Sequence, residues 1–370
     1  MHPNRETLYY VDWLRVLVIS LVVAHHAGQA YGPTGGAWPV FEAERSVLLG
    51  PFFSVNAAFF MGLFFLISGS FVPGSLARKG AARFVKDRLI RLGIPLAVIG
   101  FVAIPPILYA MAGGGRGFAA YYLDVYLGEW QVNFGPMWFV FHLLVYGAVY
   151  AALARVFPVL ARQGEPKPAG PGALIGLAVA IALIGGAFRH VYPQDEWVNI
   201  LWVMPAEPAH LPLYVLMFAA GTWAGRHGGF QILPRRTGTA WLAVGGTCAV
   251  FWYARRYLWD FAGISLLPGD VMGPLFPLWE AGVCVGLCAG LVVLAREHWN
   301  RPGRWLGPLA GASYGVYIVH VFVIVALNMA FLGVEWPPFA KFLAVTALAL
   351  AICFPVMAAV RRIPGAARVL

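Results

Sequence analysis

Apolar runs about 20 residues long recur along this chain, and no other feature constrains its fold as tightly. A run of that length is what an α-helix needs to cross the hydrocarbon core of a bilayer. Ten such runs cover residues 10–30, 52–72, 92–112, 136–158, 172–190, 210–226, 238–256, 276–296, 309–331 and 339–360. The fifth and sixth are the shortest. Charge agrees with the runs. Only 11% of the 370 residues are Asp, Glu, Lys or Arg, against about 25% in a typical soluble domain, too few to cover a surface facing water. The expected fold class is all-α, a polytopic transmembrane bundle of about ten helices with the lipid bilayer as its solvent. Residues 1–370 read as a single domain, because no hydrophilic stretch is long enough to fold separately. The first run reads as a helix and not as a cleavable signal: His25 and His26 interrupt it and no A-x-A-like site follows.

The net charge of +10 would raise the question of nucleic acid in a soluble protein. Here the positions of the charges follow membrane topology. With both termini cytoplasmic, nineteen of the 26 Lys and Arg residues fall on the inner side, from Arg5 through the Arg78–Arg91 stretch to Arg368. Six fall outside, among them Arg45, Arg116, Arg189 and the Arg255–Arg256 pair. That bias is the positive-inside pattern, and nucleic acid is not expected as a partner. The Ala-, Gly- and Arg-rich composition suggests a bacterial source, hence the plasma (inner) membrane. Outer segments combine carboxylates with aromatics such as Trp38, Trp130, Trp197 and Trp202. These suit interfacial anchoring and also carbohydrate.

The first run carries the most chemistry. Asp12, Arg15, His25 and His26 lie within it, and ionisable groups inside a spanning helix usually face a bundle interior or a wet cavity. Arg15 and His26 are eleven residues apart, three helical turns plus about 20° and about 16 Å along the axis, so they share a face. His25 points about 80° away from Arg15. Asp12 is placed to pair with Arg15. Arg15 could instead snorkel to the headgroups, and His26 could be a hydrogen-bonded packing residue. A histidine here also suits a general base.

The second run ends in Ser68-Gly69-Ser70, small residues that allow close helix approach. Next, Lys79, Arg83 and Lys86 would share one helical face, which can meet anionic headgroups. Arg88 and Arg91 would share another that could turn inward to phosphates. Pro95 falls near the start of the third run. Two later stretches place histidines in or near spans: Gly135 to Leu144, with Trp138 and His142, and Ser313 to His320, with Tyr314 and Tyr317. The four cysteines read as apolar packing residues, no metal is expected, and little buried carboxylate is expected beyond Asp12. No phosphate-binding GxxxxGK[ST] loop, HExxH, GxSxG or dinucleotide fingerprint occurs.

Taken in order along the chain, these residues resemble the integral membrane acyltransferase family 3, which includes O-antigen- and glucan-modifying acyltransferases. Arg15 and His26 match its Arg/Lys, ten residues, then His pattern. Phe64-Phe65-Leu-Ile-Ser68-Gly69 matches its Phe-Phe-x-x-Ser-Gly segment, and Arg88, Arg91 and Pro95 match its Arg-x-x-Arg before a proline. Trp138-Phe139 matches a Trp-Phe segment of the glucan-modifying branch, and Ser313, Tyr314, Tyr317 and His320 match Ser-Tyr-x-x-Tyr-x-x-His. His25 departs from the apolar or aromatic residue usual there.

The resemblance implies transfer of an acyl group, acetyl above all, from cytoplasmic acyl-CoA to a hydroxyl of an extracytoplasmic or lipid-linked glycan acceptor. Acyl-CoA would be a donor substrate, with no permanently bound cofactor. The implied roles are His26 and Arg15 in catalysis and Arg88, Arg91 and Ser68 in donor binding. Asp12, His25, Trp138, Tyr314 and His320 are further candidates. Intramembrane Arg, Asp and His also suit a proton-coupled transporter of a small solute, although no internal repeat is visible.

Overall fold

A computed structural model describes residues 8–33, 38–113, 115 and 117–370. Arg5 and Arg116 of the charge count lie outside them. Each of the ten apolar runs is helical, and the long helices are numbered in chain order: α1 Tyr9–Gly28, α2 Gly50–Ser70, α3 Ala81–Met111, α4 Trp138–Val156, α5 Pro171–Val191, α6 Leu211–Arg226, α7 Arg235–Ala262, α8 Gly269–His298, α9 Leu306–Ala330 and α10 Pro338–Val360. Eight helical stretches among the described residues are long and apolar enough to cross a membrane. The other two of the ten are α6 and α7. The 16 residues of α6 span about 24 Å, short of a core about 30 Å thick. The 28-residue α7 is diluted by Gly, Thr and Trp through its middle. The architecture is an all-α polytopic bundle, and the chain is a multi-pass membrane protein.

Small residues set how closely the helices approach, as expected where lipid offers no hydrophobic drive between them. A Cβ on Gly225 would collide with the Ser70 carbonyl, and one on Gly221 with that of Leu66, so α2 and α6 touch backbone to backbone. Gly245 and Gly286 do the same for α7 and α8. Helix α1 packs against α2, α8, α9 and α10, which places its polar residues inside the bundle.

The basic stretch departs from the sequence expectation. Lys79 does not share a helix with Arg83 and Lys86, because Gly80, at φ +72°, breaks the chain between them. Helix α3 starts at Ala81, so Pro95 sits in its interior and not near its start. A proline has no N–H for the carbonyl four residues back. The orphaned Arg91 carbonyl instead accepts the Tyr314 hydroxyl at 2.9 Å. The same device recurs where Pro105 frees the Phe101 carbonyl, which accepts the Tyr122 hydroxyl at 3.1 Å. The turns Leu89–Gly93 and Ile99–Ala103 are of the wider π type, as is common where the α-helical ladder is interrupted.

Between α5 and α6 a short antiparallel hairpin, β1 Val198–Ile200 and β2 Met204–Ala206, pairs Asn199 with Pro205. Fully buried His142 of α4 holds it: its Nε2–H donates to the Pro205 carbonyl at 3.0 Å, and its Nδ1 accepts the Tyr146 hydroxyl at 3.0 Å. Both nitrogens of His142 are thereby satisfied, which marks a structural histidine.

Candidate active site

Helix α1 carries its polar residues past two cavities. The first, about 430 Å³, is lined by Asp12, Arg15, Ser68, Arg91, Tyr314 and Arg361 among others. Arg15 Nη1 lies 3.5 Å from Asp12 Oδ1, the expected i, i+3 pair, and its guanidinium stands over the Phe71 ring at 5.3 Å. Arg91 lies 6.0 Å from the centre of the Tyr314 ring, held there by the hydroxyl of Tyr314 on its own carbonyl. Ser68 lines the cavity, while Gly69 beside it faces α6.

Arg88 is placed differently. It does not line this cavity: its Nη1–H donates to the Leu143 carbonyl at 3.4 Å, and the shaft lies against Gly147 of α4. The π-type turn that begins at Leu89 separates the directions of Arg88 and Arg91, which an unbroken α-helix would have kept on one face.

The second cavity has two adjoining lobes of about 530 and 270 Å³ that share His26, Gln29, Pro136, Trp138 and Trp197. Its histidine is bound in a defined way. His26 Nδ1 lies 2.9 Å from the Val22 carbonyl and 3.3 Å from His320 Nε2. His320 Nδ1 lies 2.6 Å from the Tyr317 carbonyl. A carbonyl only accepts, so both Nδ1 atoms carry hydrogen. His320 Nε2 then presents a lone pair to the His26 Nδ1–H. The network assigns the tautomers and leaves His26 Nε2 with its lone pair, without a partner among the described residues, on a ring that lines the cavity. That is the state a general base requires.

Three tryptophans, Trp38, Trp138 and Trp197, line the cavity with this ring. Trp38 lies 5.7 Å from it, fixed by an indole N–H that donates to Asn328 Oδ1 at 3.1 Å. Trp138 and Trp197 pack edge to face at 5.7 Å. Trp202, by contrast, is 79% exposed and fits an interfacial anchor. His25 points away to α2, within 5.1 Å of Phe53 and 5.2 Å of Phe60, and its Nδ1 accepts the Asn56 amide at 3.3 Å. It lines the smaller lobe only.

Tyr317 joins the two cavities. It lines both the Arg15 cavity and the smaller His26 lobe. Its hydroxyl donates to the Pro136 carbonyl, its ring packs 5.7 Å from Phe139, and its carbonyl orients His320. The Arg15–His26 face of α1 thus runs from one cavity to the other past Tyr317.

A buried charged network also reaches the smaller lobe. Arg189 Nη2 of α5 donates to both carboxylate oxygens of Glu280 of α8, each contact 2.8 Å. His210 Nε2 lies 3.1 Å from Glu280, and His210 Nδ1 lies 2.7 Å from Glu207, which lines the lobe. Glu280 is 2% exposed, whereas the Asp12 side chain is 31% exposed, so the expectation of little buried carboxylate beyond Asp12 misses the more deeply buried acid. A lone acid inside an otherwise apolar run, Trp279-Glu280-Ala281, was the available signal for it. In the loop nearby, partial burial holds the Asp195 carboxyl above the usual carboxylate range, and Glu207 adds to the shift.

No curated protein and no solved structure matches this sequence. A family model for the acyltransferase domain matches residues 8–358, a span that takes in every lining residue of both cavities except Arg361. The chain belongs to the integral membrane acyltransferase family 3.

Proposed function

We propose that this membrane acyltransferase moves an acyl group, acetyl above all, from acyl-CoA to a hydroxyl of an extracytoplasmic or lipid-linked glycan. The donor enters the Arg15 cavity from the cytoplasm of a bacterial cell and the acceptor enters the His26 cavity. The observation that carries this reading is the lone-pair Nε2 of His26, on a cavity that meets an arginine-lined one at Tyr317. Guanidinium groups recognise phosphate. A donor with a long flexible arm between its phosphates and its thioester is what two cavities along one helix face would accommodate.

His26 Nε2 takes the proton of the acceptor hydroxyl as its oxygen attacks the thioester carbonyl. The carbon–sulfur bond breaks, and the departing thiolate takes that proton from the imidazolium as a thiol. His320 holds the His26 ring through Nδ1. Arg15 and Arg91 bind donor phosphate, Ser68 and Tyr314 shape that site, and Trp38, Trp138 and Trp197 offer stacking faces to a sugar ring.

Comparative mass spectrometry of surface glycans and glycolipids tests the reading. The samples are host cells without the protein, with it, and with His26→Ala at matched membrane levels. A base-labile, acetyl-sized mass increase confined to the unaltered protein is expected. The same increase with His26→Ala would sink the assignment of the base.

A further inference from the structure

The Arg15 cavity holds more positive charge than its own residues balance. Arg15, Arg91 and Arg361 line it, and Asp12 is the carboxylate among its lining residues. Asp12 pairs with Arg15. Neither Arg91 nor Arg361 has a carboxylate within ion-pair distance among the described residues. Like charges gathered in a partly dehydrated cavity repel one another more strongly than in water, so the arrangement calls for an anion to complete it.

Arg361 is the least expected of the three, because it caps the C-terminal end of α10, far along the chain from the others. An arginine at a helix end beside a membrane usually snorkels outward, and its neighbour Arg362 is exposed. Arg361 instead folds over α9 at Gly311, where any Cβ would overlap its Nη1. Its Nε is buried and has no hydrogen-bond partner among the described residues. A buried guanidinium N–H without an acceptor is costly. Here it belongs to a group that lines a cavity.

We infer that Arg361 is a third anion-binding residue of this cavity and contacts the donor's phosphate groups together with Arg15 and Arg91. The inference rests on the donor reading above and adds the residue that caps α10 to it. It also gives Gly311 a role, as the opening through which the guanidinium reaches the site.

Binding of coenzyme A to the purified protein in phosphatidylcholine nanodiscs tests this without any knowledge of the acceptor. Arg361→Ala should weaken coenzyme A binding roughly 10- to 100-fold, the range for losing a hydrogen bond to a charged group. Arg362→Ala should leave it unchanged. S-acetyl-pantetheine, which carries the thioester but no phosphate, should compete equally well against both proteins. Coenzyme A binding unaffected by Arg361→Ala would overturn the inference. So would an equal loss for the phosphate-free ligand, which would mean that the cavity itself had been disturbed. So would a loss seen only in nanodiscs containing phosphatidylglycerol, which would give Arg361 to a lipid headgroup. Failure of the unaltered protein to bind coenzyme A at all would instead remove the donor reading.

Discussion

His26 Nδ1 and His320 Nε2 sit 3.3 Å apart although 294 residues separate them in the chain. The contact makes one histidine the holder of the other. His26 keeps a free Nε2 because its Nδ1–H is engaged by Val22 and by His320, and His320 can accept because its own Nδ1–H is engaged by Tyr317. His26→Ala removes the proposed base and should lower acyl transfer by about 10² to 10⁴. His320→Ala leaves the Val22 carbonyl in place and should cost less. His320→Gln, which keeps an acceptor, should recover part of the loss. Equal losses for His26→Ala and His320→Ala in a transfer assay would give both rings the same standing and contradict the order assigned here.

Arg15 and Arg88 should respond differently to removal. Arg15 lines the cavity beside Arg91, whereas Arg88 is bound to the Leu143 carbonyl and packed on Gly147. Arg15→Ala should raise the KM for acyl-CoA roughly tenfold or more, the size of a lost charge-assisted hydrogen bond. Arg88→Ala should lower the temperature of unfolding and leave that KM within about twofold. Steady-state kinetics at varied donor concentration separate the two, and a larger KM effect for Arg88→Ala would place the donor elsewhere.

The Glu280 carboxylate sits where α5, α8 and the segment leading into α6 meet, between Arg189 and His210. Glu280→Ala leaves both bases without their shared acceptor in a dry site. Breaking one side of a buried ion pair typically costs about 3–5 kcal/mol. The expected result is a large drop in thermal stability in detergent, with Arg189→Ala similar and the double variant much less than the sum. Additive losses would show that the pair is not coupled.

Much of the fold was legible because lipid demands long apolar runs, and all ten positions proved helical. The azimuths of Arg15, His25 and His26 were legible too, since the period of an α-helix fixes them within α1. What depended on other helices was not. Nothing in the sequence near His26 names His320 as its partner, because that pairing is made by α1 packing on α9. The separation of Arg88 from Arg91 follows from a π-type turn, which spacing arguments built on 3.6 residues cannot anticipate. Glu280 was hidden by its surroundings: its partners stand 70 and 91 residues away and meet it only in the folded bundle.

Tyr317 provides the last prediction. Its ring stands between the two cavities, anchored at the Pro136 carbonyl and packed on Phe139. In the proposed reaction, a thioester that reaches His26 before an acceptor arrives would be exposed to any water His26 can activate, and excluding water is one way a site prevents such a side reaction. The His320 contact uses the backbone carbonyl of Tyr317, so a side-chain substitution leaves the histidine pair in place. Tyr317→Phe should lose the anchor but keep the partition, with little change in the ratio of acyl-CoA hydrolysis to transfer. Tyr317→Ala should open the partition and raise that ratio several-fold while donor binding persists. Thiol release measured with and without acceptor reads the ratio directly. An unchanged ratio in Tyr317→Ala would mean that the ring only fills space between α4 and α9.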